Sequence, residues 1–173
     1  MTTMFPRTCF LGLDVQSSKG CPFVVLDSQL NSVDSGWIEG PSRAEKCSNF
    51  LEEIERISSR LACSLAIGID SPRQPLPASR PFYWDRKRKK WRARRGDEAG
   101  YGRHCEVVVS VLKLANPQWT PLRGQCPQWM MLGFDLFTAL QGRTGVFEVF
   151  PTATYSVLQG NTELKVRIDL AHF

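Results

Sequence analysis

The sequence is poor in the residues from which zinc sites and disulfide frameworks are built. It contains two histidines, His104 and His172, which lie far apart and argue against a zinc hydrolase. Its six cysteines never form a C-x-x-C pair, and most of them lie inside apolar segments. We therefore expect reduced thiols, as in a cytoplasmic protein.

Long apolar runs are missing as well. No run approaches the roughly 18 residues of a membrane span. Gly12 and Asp14 interrupt the only segment that could form the apolar part of a secretory signal. We therefore expect no membrane partner. The composition is that of an ordinary globular protein, and residues 1–173 are most simply interpreted as a single domain with a substantial core.

Acidic residues are absent from the stretch Arg86–Arg95, in which eight of ten residues are Lys or Arg. Without those eight cations the net charge of the chain falls from +5 to −3. A charge so local indicates a local anionic partner. Tyr83, Trp84 and Trp91 are interleaved with the cations. Because cations neutralise phosphates and aromatic faces stack on unpaired bases, RNA or DNA is the preferred partner.

The basic segment Phe82–Arg95 can form a helix, which would place Trp84 and Trp91, seven residues apart, on one face. Two other interpretations stay open. The tryptophans could anchor the segment to the body of the protein while the cations face water, or the run could be a targeting signal of a nucleated cell. The residues expected to bind nucleic acid are Arg86, Lys87, Arg88, Lys89, Lys90, Trp91, Arg92, Arg94 and Arg95.

The first part of the chain predicts a sheet with one crossover. Thr8–Leu13, Cys21–Leu26 and Asn31–Glu39 have the patterns of strands, and their short connections favour an antiparallel meander. An amphipathic helix of roughly 18 residues should follow, with Ser42 as its N-cap. Since this helix separates it from the meander, the strand Ser64–Asp70 can lie parallel to the first strand.

The second part predicts helices and one more strand. Arg103–Ala115 and Gln128–Gln141 have helical patterns, Thr144–Phe150 is a fifth strand, and Thr152–Leu158 is a short helix that Gly160 can end. The expected fold is α/β, with a mixed five-stranded sheet flanked by helices. Its strands form a three-stranded antiparallel meander plus parallel strands, and a basic insertion occupies about residues 82–102.

Three acidic residues stand where a sheet would favour apolar ones. "LGLD" ends at Asp14, "IGID" ends at Asp70, and Glu148 lies inside "VFEVF". The carboxyl ends of parallel strands meet at one edge of a sheet, so the two aspartates should lie close together. The predicted strand order brings Glu148 to the same site, and three carboxylates held together repel unless a divalent cation neutralises them. Asp14, Asp70 and Glu148 are therefore expected to bind Mg²⁺ or Mn²⁺, which suits a cluster of oxygen ligands, and to be the catalytic residues. Alternatively, each aspartate is an ordinary turn former, and Glu148 reaches water from an edge strand.

Five segments, in this order, resemble the DUF429 family of predicted ribonuclease H-like nucleases: "LGLDVQSSKG", "AIGIDSP", "RHCE", "TPLRGQCPQWMMLGFDLFTAL" and "VFEVFPTATYSVLQG". The resemblance implies a ribonuclease H-like fold in which Asp14 and Asp70 bind metal. It makes Glu148 the third acidic position. In "RHCE" it implies that Arg103 holds a phosphate while Glu106 orients it or adds a ligand. The alternative for this pair is an ion pair at the start of a helix.

The leading hypothesis is therefore an enzyme, a Mg²⁺-dependent nuclease that hydrolyses RNA or DNA. Lys19 or Arg103 would steady the scissile phosphate, and Glu163 or Asp169 could add a late carboxylate. One rival is a nucleotide-binding phosphotransferase with the sheet of the actin-like ATPases, although "DVQSSKG" lacks the glycines of a phosphate-cradling hairpin. A second rival is a nucleic-acid-binding module without catalytic activity.

Overall fold

The structure is a computed structural model that describes residues 7–159. The chain divides into two compact units. The first unit comprises the described chain up to Gln74 together with Pro127–Val149, and the second comprises Pro75–Cys126 together with the described chain from Phe150 onward.

The chain contains seven strands and four α-helices within residues 7–159. In chain order these are β1 (Arg7–Asp14), β2 (Cys21–Leu26), β3 (Ser32–Ile38), α1 (Arg43–Leu61), β4 (Cys63–Asp70), β5 (Phe82–Asp85), β6 (Lys90–Ala93), α2 (His104–Val111), α3 (Gln128–Ala139), β7 (Val146–Glu148) and α4 (Pro151–Leu158). A 3₁₀ turn at Arg123–Gln125 precedes α3.

The first unit is built on a mixed five-stranded sheet in the order β3-β2-β1-β4-β7. β2 pairs antiparallel with both β1 and β3, whereas β4 pairs parallel with both β1 and β7. The predicted α/β class, the antiparallel meander and the parallel fourth strand are therefore confirmed. β3 lies at an edge of the sheet, as its weak alternation indicated.

One face of this sheet carries the core. Alternate residues of β1, such as Leu11 and Leu13, are buried on that face, and α1 covers it with Phe50, Ile54 and Ile57. The side chain of Ser42 accepts a hydrogen bond from the Glu45 amide, which confirms the predicted start of α1. The predicted helix at Gln128–Gln141 is also confirmed as α3, which packs beside α1.

The fifth strand is shorter than predicted. The sequence pattern indicated Thr144–Phe150, but β7 covers only Val146–Glu148. Gly145 has a φ of 77°, a left-handed conformation that interrupts extended backbone. At the other end Phe150 is already the N-cap of α4, whose first residue is Pro151.

In the second unit the helix that the sequence allowed at Phe82–Arg95 is not formed, because β5 and β6 form an antiparallel hairpin there. The Asp85 carboxylate accepts hydrogen bonds from the amides of Lys87 and Arg88, both at 3.0 Å, which stabilises a turn instead of a helix. Lys89 completes the turn with a φ of 50°. Cations four apart on a helix would also repel one another.

The helices of the second unit follow the predicted positions with shorter bounds. α2 ends at Val111 instead of Ala115, and Lys113, two residues later, has a left-handed φ of 57°. α4 agrees with the predicted short helix, while the predicted stop at Gly160 lies outside the described residues. No helix within residues 7–159 has the length and apolar character that a membrane crossing requires.

Candidate functional site

Asp14 and Asp70 lie side by side at the carboxyl edge of the first unit's sheet. β1 and β4 pair without a register shift from Arg7 opposite Cys63 to Asp14 opposite Asp70. Neighbouring strands are about 4.8 Å apart, so the last residues of the two strands are adjacent. The prediction that these two aspartates meet at one edge is confirmed.

The two carboxyl groups differ in environment. Asp14 is exposed, and its Oδ2 accepts a hydrogen bond of 2.8 Å from the Gln16 side-chain amide. Asp70 is half-buried, and its pKa is raised to about 6, first by burial, then by the charge of Asp14 and then by that of Glu148. The edge therefore holds two neighbouring carboxyl groups, and the ionised form of one of them is disfavoured.

Glu148 lies next to this pair without being part of its register. On β7 it is opposite Ile69, one residue before Asp70. Its side chain is exposed at the edge of the sheet, which is the alternative position foreseen for it, and its Oε2 accepts a hydrogen bond of 2.9 Å from the Arg73 amide. Within residues 7–159, no group of three or more His, Cys, Asp or Glu side chains is placed to hold a metal ion.

The glycines that precede the two aspartates, Gly12 in β1 and Gly68 in β4, have different surroundings. A Cβ on Gly68 would lie 3.0 Å from Cγ1 of Val149, so the close approach that this glycine permits is made by the chain itself. A Cβ on Gly12 would meet only Cγ1 of Val24, at 3.9 Å. The sheet surface beside Asp14 therefore has more room than the surface beside Asp70.

The turn after Asp70 is held by α3. Ser71 is buried there, and a Cβ on Gly133 of α3 would lie 1.8 Å from the Ser71 Oγ. Arg73 then connects the turn to β7, because its Nη2 donates to the Val146 carbonyl at 2.8 Å, in addition to its amide bond with Glu148. The sequence contained no signal for Arg73. Gly133 could have been noticed as a glycine inside a helical pattern.

The turn after Asp14 is held by α1. Lys46 is only 4% exposed, and its ammonium group donates to the carbonyl oxygens of Gln16 at 2.9 Å, of Ser17 at 3.1 Å and of Lys19. Sequence reasoning missed Lys46, although its spacing to Phe50 places it on the apolar face of α1. The Lys19 side chain is exposed in this turn, so it is accessible for the phosphate-steadying role predicted for it.

In the second unit Arg103 and Glu106 form the start of α2. The buried Glu106 carboxylate accepts from the Arg103 amide at 3.0 Å, from the Arg103 guanidinium at 2.9 Å, and from both the amide and the hydroxyl of Thr120. Both carboxylate oxygens are therefore used within the unit. This geometry matches the alternative interpretation, a helix-start ion pair, and leaves Glu106 no lone pair directed at a metal ion.

The aromatic side chains of the basic segment pack inside the second unit. Trp84 and Trp91 are opposite each other across the hairpin, with ring centroids 5.4 Å apart. Trp91 also lies 5.4 Å from the ring of His104 at the start of α2. The Tyr83 hydroxyl accepts from the Gly100 amide, and the Arg80 guanidinium lies 3.9 Å from the Tyr83 ring centroid. The predicted placement of the tryptophans on one helix face is therefore wrong, and the anchoring interpretation fits their contacts.

Part of the basic segment is also engaged within the unit. Arg92 donates hydrogen bonds from both of its terminal nitrogens to the Glu98 carboxylate, and Arg94 donates to the Glu98 carbonyl at 2.8 Å. Arg86 donates to the Ser110 hydroxyl at 2.9 Å. These contacts consume donors that the sequence had assigned to nucleic acid.

Four of the five remaining cations form the hairpin tip, residues 87–90. All four side chains there are exposed. Within the described part of the chain, the ammonium groups of Lys87, Lys89 and Lys90 have no hydrogen bond or ion pair, and Arg88 lies in the field of Asp85. Arg95 is exposed as well. Such a concentration of exposed like charge gives this tip a positive potential.

Comparison of the chain with protein-family models, with curated proteins and with solved structures finds no match. The predicted late carboxylates Glu163 and Asp169 lie outside the described residues.

Proposed function

We propose that this chain is a divalent-metal-dependent nuclease with a ribonuclease H-like sheet, related to the DUF429 family. The observation that carries the proposal is the pairing of Asp14 with Asp70 at the carboxyl ends of parallel strands. In the ribonuclease H-like fold the nucleases hold an aspartate on the first strand and another on the fourth. The strand order β3-β2-β1-β4-β7, with one antiparallel meander, is compatible with that fold.

The chemistry of the edge fits Mg²⁺ or Mn²⁺. Its donors are carboxylate oxygens, and Mg²⁺ is commonly held by one or two carboxylates, with water and substrate oxygens completing its shell. A divalent charge beside Asp14 and Asp70 would offset the repulsion that contributes to the raised pKa of Asp70. When bound, such an ion would supply Lewis acidity for phosphodiester hydrolysis.

The residues of the chain would divide the work of binding and orientation. Asp14, oriented by Gln16, and Asp70 would hold the ion, while Glu148 would add negative charge from the neighbouring strand. Lys19, exposed in the turn after Asp14, would steady a phosphate oxygen.

The hairpin tip would provide affinity for nucleic acid. Its exposed cations can neutralise phosphates with release of counterions, a contact that carries no base sequence information. Since Trp84 and Trp91 pack against each other and Trp91 against His104, binding would come from phosphate contacts more than from base stacking.

The proposal is tested by cleavage of end-labelled single-stranded RNA, single-stranded DNA and an RNA–DNA hybrid, with MgCl₂, with MnCl₂ and with a chelator. Cleavage should require the metal and fall at least 100-fold in Asp14→Asn and in Asp70→Asn. Asp97→Asn, which neutralises an exposed acid of the second unit, is the matched control and should cleave normally. Undiminished cleavage by Asp14→Asn, or cleavage in chelator, would exclude the proposed site.

A second candidate, a nucleic-acid-binding module without turnover, is favoured by the position of Glu148. That acid is out of register with Asp70 and accepts the Arg73 amide, so the edge has two aligned carboxylates instead of three. Binding that persists unchanged in chelator and in Asp70→Asn, with no cleavage of any of the three substrates, would identify this second function.

A further inference from the structure

Lys46 is the most deeply buried lysine that the structure describes. It is 4% exposed and lies on the face of the helix that otherwise presents Phe50, Ile54 and Ile57 to the core. Taking an ammonium group out of water is costly unless it is paired and hydrogen-bonded. No carboxylate within residues 7–159 forms an ion pair with Lys46.

The partners of Lys46 are three backbone carbonyls of one turn. The Lys46 ammonium group has three N–H donors, and it donates to the carbonyl oxygens of Gln16, Ser17 and Lys19. All three lie in the connection between β1 and β2, which begins directly after Asp14. One side chain of α1 therefore fixes the path of this turn at three points.

The contacts of Lys46 continue through Gln16 to Asp14. The Gln16 backbone is held on both sides, because its carbonyl accepts from Lys46 and its amide donates to the Cys21 thiol at 3.3 Å. Its side-chain amide then donates to Oδ2 of Asp14 at 2.8 Å. A displacement of the turn would move the group that orients the Asp14 carboxylate.

From this geometry we propose that Lys46 is a positioning residue for the candidate metal site, a proposal that rests on the function proposed above. By clamping residues 16–19 it sets the orientation of the Gln16 amide and through it the carboxylate of Asp14. It also fixes the backbone that carries Lys19 beside the edge of the sheet. An apolar residue at this position would serve the core of the first unit but could not hold three carbonyl oxygens.

The experiment compares Lys46→Met, which keeps the length and removes the donors, with Ile57→Ala. Ile57 is fully buried on the same helix, about three turns after Lys46, so its truncation should destabilise the first unit without removing a hydrogen bond to the turn. Two quantities are measured: amide hydrogen exchange of residues 15–20 in the absence of metal, and the Kd for MgCl₂ by calorimetry. Lys46→Met should accelerate exchange in the turn at least tenfold and weaken Mg²⁺ binding at least tenfold, and Ile57→Ala should change neither by more than about twofold.

A second variant, Gln16→Leu, covers the case in which Lys46→Met fails to fold. It leaves the ammonium group and its carbonyl partners in place and removes only the amide that reaches Asp14. It should weaken Mg²⁺ binding about three- to tenfold while exchange in the turn stays close to that of the wild type.

Three results would overturn the role of Lys46: unchanged exchange in Lys46→Met, equal losses in Ile57→Ala, or unchanged Mg²⁺ affinity in Gln16→Leu. Failure of the wild type to bind Mg²⁺ is a separate outcome. It would exclude the metal-dependent nuclease, whereas the exchange data would still decide whether Lys46 fixes the turn.

Discussion

Asp14 and Asp70 are opposite each other across the parallel pair β1–β4, and the charge of Asp14, after burial, helps to raise the pKa of Asp70 to about 6. The unfolded chain would give Asp70 a pKa of about 3.9. Between these two values the folded protein binds the extra proton, so stability falls as the pH rises from about 4 to about 6. The loss persists at higher pH, where Asp70 is ionised in both states.

Replacing Asp70 by Asn should therefore stabilise the metal-free protein at neutral pH. We expect the free energy of unfolding at pH 8 to rise by about 1–2 kcal/mol, less than the full shift would give because Asp70 is partly exposed to solvent. Below pH 4 the two proteins should have nearly equal stability.

Urea denaturation in chelator at pH 4 and at pH 8 measures this difference. Asp97→Asn serves as the control, since Asp97 is exposed in the second unit and should show no comparable gain. A variant Asp70→Asn that is less stable than the wild type at pH 8 would show that the ionised Asp70 carboxylate does not destabilise the folded protein.

Addition of a divalent ion should offset the destabilisation that ionised Asp70 causes at neutral pH. At a Mg²⁺ concentration ten times its Kd, the wild type should gain about 1.4 kcal/mol, which raises the Tm of a protein of this size by roughly 3–6 °C. Asp70→Ala should lose this increase, and Asp97→Ala should keep it. An equal increase in Tm for Asp70→Ala would place the ion elsewhere on the molecule.

The hairpin tip should determine the salt dependence of nucleic-acid binding. Replacing Lys87, Lys89 and Lys90 together by Gln removes three exposed cations that have no partner in the described chain. The slope of log K against log salt should become shallower by about 2–3 for duplex DNA. Fluorescence anisotropy with a labelled duplex at 50–300 mM salt measures the slope.

The control for this prediction is the double variant Lys113→Gln and Arg123→Gln. Both side chains are exposed in the second unit but lie outside the hairpin. The double variant should change the slope by less than the triple variant does. A slope that does not change in the triple variant would show that nucleic acid does not contact the tip.

Trp91 should matter more for stability than for binding. It packs against Trp84 across the hairpin and lies beside His104, so Trp91→Ala should lower the free energy of unfolding by about 2–3 kcal/mol. Trp37→Ala, at an exposed position of β3, should cost under about 1 kcal/mol. A Trp91→Ala protein of normal stability that has lost affinity for single-stranded DNA would favour the base-stacking interpretation.

The features that the sequence predicted correctly depend on local patterns. The burial alternation of β1 and β4 and the Ser42 cap with its following apolar stripe each lie within one segment. Strands joined by a short connection are antiparallel, whereas strands joined through a helix can be parallel. The lengths of the connections therefore predicted the antiparallel meander and the parallel crossover to β4. The register of Asp14 with Asp70 was accessible for the same reason, because both strands end on the same motif.

The failures involve contacts between distant residues. The basic segment has no clear period, and the side chain of Asp85, which caps a turn, outweighed its helical propensity. The offset of Glu148 depends on how β7 is placed against β4, which no local pattern sets. The sequence did not indicate the role of Lys46, because a lysine at a core position of a helix is ordinarily interpreted as extending its charge into solvent.

The contact between α3 and the turn after Asp70 gives a last prediction. Gly133→Ala would place a Cβ 1.8 Å from the Ser71 Oγ and 2.5 Å from its Cβ, so either α3 or the turn must move. We expect a loss of about 1–3 kcal/mol in the free energy of unfolding. Gly96→Ala, where nothing lies within 4 Å of the new Cβ, is the control for the general effect of the exchange.

Combining Gly133→Ala with Ser71→Gly distinguishes a local clash from a general defect of α3. The double variant removes the Ser71 side chain that the new methyl group would meet, so it should recover at least half of the loss measured for Gly133→Ala. If the double variant is less stable than Gly133→Ala alone, the helix does not press on this turn. The position of Asp70 would then have to be fixed by its pairing with β1 and by the contact between Arg73 and Glu148.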